Sequence, residues 1–140
     1  MTQETDARDA RAERLIAKIK STRGFMHPEW EHSALANPDM MEAYEALSSQ
    51  IFRPDDSEAR PALPLKYREL FVCAIQAMRG EKELLTVHVR RALQMGATPD
   101  EVREMFETIL LPAGAIAWVN GVRSLLRVLA EKPKEGAGGS

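Results

Sequence analysis

The sequence is poor in several things, and each shortage excludes something. Its 140 residues include one cysteine, Cys73. No internal disulfide can form, so a reducing setting, the cytoplasm, is the expected location. No apolar run approaches the length of a membrane span, and the charged N-terminal stretch "MTQETDARDARAERLIAKIK" lacks the apolar centre of a secretory signal, which predicts no membrane partner. Charge of one sign is also missing. With 19 basic and 21 acidic residues and a formal net charge of -2, nothing in the composition offers a footprint for a nucleic-acid backbone. Segments with a β period are absent, as is any internal repeat.

Metal ligands are sparse as well. "HPEWEH" gathers His27, Glu29, Glu31 and His32. The two histidines are five residues apart, off one helix face, and Pro28 reads as a break, so no metal site is expected.

What remains is helical. Residues 5–22 form a polar arm with a narrow seam of Leu15, Ile16 and Ile19, which reads as an exposed stripe awaiting a partner. "STRGFMHPEWEHSALANPD" reads as an irregular connector ending at Asn37, an N-cap followed by Pro38. A helix runs through "MMEAYEALSSQIF", and residues 53–62 are a loop. From Pro64 to Arg79 the chain is apolar on nearly all sides beyond Leu70, the pattern of a central helix, and Gly80 ends it. The following helix places Leu84, Leu85, His88, Ala92 and Met95 on one stripe. Thr98, Pro99 and Glu101 form a capping-box start, with Val102, Met105, Phe106 and Ile109 inward. Pro112 and Gly114 break the chain before a last helix from about Ala115 to Leu129. The expected division is an N-terminal arm and connector at 1–63, a helical core at 64–131 and a disordered tail at 132–140.

An ionisable ring among leucines needs a reason. If the helices around Gly80 run antiparallel, Glu69 lies 11 residues before the glycine and His88 lies 8 after it. At about 1.5 Å of rise per residue they differ in level by roughly 4 to 5 Å, and Cys73 differs from His88 by roughly 1 to 2 Å. A carboxylate beside a buried imidazole would satisfy both groups and fix the tautomer of the ring. The plainer alternatives are that His88 is a hydrogen-bonded core residue and Cys73 a small hydrophobe.

The run from "LPLKYREL" through "TVHVRRALQMGATPDEVREMFETILLPAG" resembles the carboxymuconolactone decarboxylase-like family, within the alkylhydroperoxidase D-like superfamily, over residues 63 to about 130. "RGF" and "NPD" earlier in the chain also look like the N-terminal half of relatives. The resemblance implies an all-α orthogonal bundle of about six helices, assembled as a trimer or hexamer, with sites lined by more than one subunit. In the hydroperoxidase branch a CxxC pair precedes the histidine, but those positions here are Glu81 and Leu84. A disulfide cycle within the chain is therefore impossible, and the decarboxylase branch is the better match. It implies catalytic His88 oriented by Glu69, a small carboxylated, lactone-like substrate held by Arg91 or Arg68, enolate stabilisation near Gly114, and no cofactor. A redox protein using Cys73 and a non-catalytic oligomeric helical module are the competing readings.

Overall fold

In the computed structural model, which describes residues 3–131, the helices form in two groups, and each has its own core. The first comprises α1 (Gln3–Arg23), α2 (Pro28–Ala36) and α3 (Pro38–Ile51); the second comprises α4 (Leu65–Arg79), α5 (Lys82–Gln94), α6 (Pro99–Thr108), α7 (Leu110–Ala113) and α8 (Ala115–Leu129). Among the described residues there is no strand. The fold is all-α as expected, with eight helices among the described residues rather than about six: α2 and the single-turn α7 are the additions. The expected tail, residues 132–140, lies outside the described residues. The division into two compact units falls between Arg53 and Pro54.

In the first unit, Leu15, Ile16 and Ile19 of α1 pack with Ala34 of α2 and Met41 of α3. This corrects the reading of an exposed seam: the partner of the stripe is the same chain. It follows from a second correction, because the supposed connector contains α2. Pro28 starts that helix instead of breaking it, with His27 extended at the N-cap (φ -67°, ψ 143°), since proline at the first helical position loses no hydrogen bond. Asn37 caps α3 as its sequence suggests, its Oδ1 accepting from Met40 N at 3.2 Å. The largely buried Arg23 donates to Glu45 Oε2 at 2.6 Å and Ser48 Oγ at 2.8 Å, and lies 5.2 Å from the Trp30 ring centroid in cation–π contact.

The second unit starts with a loop that anchors α4. Pro64, the N-cap, has no side-chain acceptor to offer. Asp55 supplies one from ten residues upstream: its Oδ1 accepts from Leu65 N at 2.7 Å and from Arg68 Nη2 at 3.0 Å. Gly80 closes α4 in the left-handed region (φ 75°), which glycine adopts without a Cβ clash, and the chain turns into α5. Leu70, Cys73 and Ala77 of α4 pack with Leu85, Val89 and Ala92 of α5, Val102 and Phe106 of α6, and Leu125 and Val128 of α8. The capping box of α6 is present, with Thr98 and Glu101 bonded reciprocally, and Glu101 also accepts from Lys66 of α4 at 2.8 Å.

Two helix faces differ from their expected pattern. On α5 the buried residues are Leu85, Thr86, Val89 and Ala92, while Met95 is exposed and His88 lies at the edge of the stripe. On α4 one side is left open among the described residues: Phe71, Ile75 and Met78, at spacings of four and three, are all more than half exposed.

Gly121 of α8 lies against the Phe106 ring of α6. A Cβ there would lie 2.1 Å from Cδ1 of the fully buried Phe106 ring. Gly121→Ala should therefore lower stability by about 1–3 kcal/mol through overpacking. Urea denaturation would read this as an earlier midpoint; an unchanged midpoint would show that the contact can relax.

Candidate active site

The fully buried carboxylate of Glu69 is the centre of the candidate site. It lies on the covered face of α4, one turn before Cys73, with no solvent exposure. An isolated carboxylate there would cost several kcal/mol in lost hydration, so its position requires partners. Both come from α5. Glu69 Oε2 lies 2.7 Å from His88 Nδ1. Glu69 Oε1 lies 2.9 Å from Arg91 Nε as an ion pair, with the N–H off the line of a good hydrogen bond. His88 and Arg91 are three residues apart and share a helix face.

The partners differ from Glu69 in one respect that matters chemically. Their side chains keep 17% and 24% of their surface exposed, whereas that of Glu69 keeps none. The carboxylate is thus fully covered, while the imidazole and the guanidinium each keep part of their surface in solvent. With Nδ1 held by a carboxylate, the neutral ring carries its proton on Nδ1, and Nε2 is then its pyridine-type nitrogen.

The other residues singled out from the sequence fall as follows. Arg68 is adjacent to Glu69 but turned toward Asp55, where it secures the loop. Gly114 has φ 86° at the start of α8, and its N–H already donates to Leu110 O at 2.9 Å. It forms the bend between α7 and α8. Cys73 is fully buried, and burial first, then the nearby Glu69 charge, pushes its thiol far above the ordinary range. A thiol in that state presents almost no thiolate for redox chemistry. In the first unit Glu31 pairs with Lys20 at 2.8 Å, and His27 packs by ring edges with Phe25 and Trp30. Among the described residues no group of three or more His, Cys, Asp and Glu gathers as a metal site would need.

Sequence reasoning missed two features. The spacing of His88 and Arg91 gave a signal for their shared face, but not for the shared carboxylate. Asp55 gave none, because a cap supplied from ten residues away has no local signature.

Residues 38–127 match the carboxymuconolactone decarboxylase family, and the chain belongs to it. That match begins at the start of α3, earlier than the resemblance from residue 63. The uncharacterized protein MJ1511 of Methanocaldococcus jannaschii is 22% identical over 95 residues, 68% of this chain and 83% of that protein. A crystal structure of a "putative carboxymuconolactone decarboxylase" from Burkholderia xenovorans LB400 superposes with a TM-score of 0.74 at 23% identity, covering 87% of this chain and 91% of that one. At that identity the likeness concerns the fold.

Proposed function

We propose that this protein is a cofactor-free carboxy-lyase acting on a small carboxylated, lactone-like substrate, with His88 as the proton carrier and Glu69 as its orienting partner. The observation that carries the reading is the 2.7 Å contact between a fully buried carboxylate and an imidazole that reaches solvent. Family membership supports it at the level of reaction class.

The chemistry balances without an external electron carrier. As the bond to the carboxylate carbon breaks, carbon dioxide leaves and the electron pair is delocalised into an adjacent carbonyl as an enolate. The imidazolium then gives its Nε2 proton to carbon, a new C–H bond forms, and water restores the proton. Glu69 holds the ring in one orientation. Arg91 is our first candidate for holding a substrate carboxylate, since it lies on the same face as the ring, and Arg68 is the second.

We further propose a homo-oligomer, whose partner copy covers the open α4 face of Phe71, Ile75 and Met78. Leaving such a stripe in water is costly. Light scattering should give a multiple of the chain mass of 15.7 kDa; a monomer stable at micromolar concentration would contradict this. No helix among the described residues is long and apolar enough to cross a membrane. A cytoplasmic setting, where Cys73 stays reduced, belongs to the same reading, and recovery of the native protein from an exported fraction would overturn it.

Unsaturated carboxylated lactones should be screened for carbon dioxide release. On a substrate found this way, His88→Gln should fold normally and lose about a hundredfold or more in turnover. Glu69→Gln should lose less, because orientation weakens while the proton carrier remains. Full turnover by the His88→Gln variant would make His88 a structural residue.

A further inference from the structure

We infer that the outward face of α3 is a self-association surface, which packs antiparallel against α3 of a second copy of this chain about a two-fold axis. The inference concerns the first unit alone and does not rest on the assignment of His88.

The usual pattern of a surface helix is inverted in α3. Its buried residues are Pro38, Met41, Glu45 and Ser48, and Glu45 and Ser48 both accept hydrogen bonds from Arg23. The large apolar side chains face the other way: Met40, Tyr44, Leu47 and Ile51 keep between 42% and 60% of their surface exposed. A helix packed only on its own unit would turn those four inward. Their spacings of four, three and four make one stripe about three turns long. Between Glu42 and Arg53 the only charged residue is the inward Glu45, so no charge interrupts it. A contiguous, uncharged apolar stripe marks a protein–protein contact. Tyr44 is its anchor. The Trp30 ring braces it at 5.5 Å between centroids, and Arg23 and His27 flank Trp30 in turn, so Tyr44 loses little freedom on docking.

Register selects a second copy as the occupant. Met40 and Leu47 are one heptad apart, as are Tyr44 and Ile51, which is the pattern of a two-helix seam. When two such helices run antiparallel, Met40 comes level with Ile51 of the second copy, and Tyr44 with its Leu47. The same two pairs recur by symmetry. Each large apolar residue then meets another, and α3 is complementary to itself, as an isologous interface requires. Charge favours the same direction. The Asp39 carboxylate, held by Arg11 at 2.7 Å yet largely exposed, marks one end of α3. Arg53, which donates to Gln50 O at 3.0 Å, marks the other. Antiparallel packing brings these opposite charges together at both ends, whereas parallel packing would bring like charges together. The helix dipoles agree, since each N-terminus meets a C-terminus.

Cysteine cross-linking tests the register. Met40→Cys and Ile51→Cys proteins, mixed and oxidised with copper phenanthroline, should give a disulfide-linked dimer that neither variant gives alone. The mixed pair sits level, whereas like positions lie about 16 Å apart along the axis, beyond the reach of a disulfide. The native Cys73 is fully buried and is present in every arm. Leu47→Glu, at a position more exposed than covered, should fold normally by circular dichroism and halve the particle mass in light scattering, whether or not another copy covers the α4 face. No cross-link in the mixture, or an equal cross-link in either variant alone, would overturn the inference. So would a folded Leu47→Glu variant of unchanged mass. An oligomer that gives no 40–51 cross-link but loses mass with Ile75→Glu would overturn it too, and leave the interface proposed for α4 standing.

Discussion

A carboxylate buried without any exposed surface sets the terms for the second unit. Glu69 is tolerated in the core between α4 and α5 because His88 and Arg91 meet it there. Removing one partner from a buried pair typically costs about 3–5 kcal/mol, so the register of the two helices is under strong constraint. The left-handed Gly80, the apolar contacts of Cys73 and Ala77 with α5, and the Asp55 cap all hold α4 where that register requires it. Hydrophobic packing alone would accept small slips along the helix axis. An ion pair with one geometry accepts fewer.

That constraint was legible in the sequence because it is a matter of counting. Eleven residues on one side of Gly80 and eight on the other bring Glu69 and His88 to nearby levels, whatever the details of packing. Faces are harder to read than levels. The spacing puts Leu84, Leu85, His88, Ala92 and Met95 on one stripe of α5, whereas its buried residues are Leu85, Thr86, Val89 and Ala92. Leucine and valine are abundant on several faces of that helix, so periodicity alone admits neighbouring solutions. On α4 the apolar positions on nearly all sides suggested complete burial, yet the chain itself covers one side. A sequence does not distinguish apolar residues covered by their own chain from those awaiting another surface.

The first unit illustrates the opposite error. Proline at position 28 was read as an interruption, although proline is as much a signal for a helix start as for a helix end. Once α2 forms, Trp30 and Ala34 become available to α1, and the seam of Leu15, Ile16 and Ile19 no longer faces solvent. One local misreading therefore changed the apparent role of a whole helix.

The chemistry follows from a division of labour within the Glu69 cluster. The carboxylate has no exposed surface, whereas the imidazole that we propose as the proton carrier keeps part of its own. Arg91 places a second basic side chain beside the same carboxylate. Cys73, though one turn from Glu69, is held as an un-ionised thiol by the same burial that protects the carboxylate. The central claim is that Glu69 accepts a hydrogen bond from His88 Nδ1–H and thereby fixes the tautomer of the ring. Long-range nitrogen–proton NMR on labelled protein measures this directly. For the neutral ring, the account predicts a protonated, pyrrole-type Nδ1 and an unprotonated, pyridine-type Nε2, with the pattern lost in Glu69→Leu. A ring protonated on Nε2 in the native protein would contradict it.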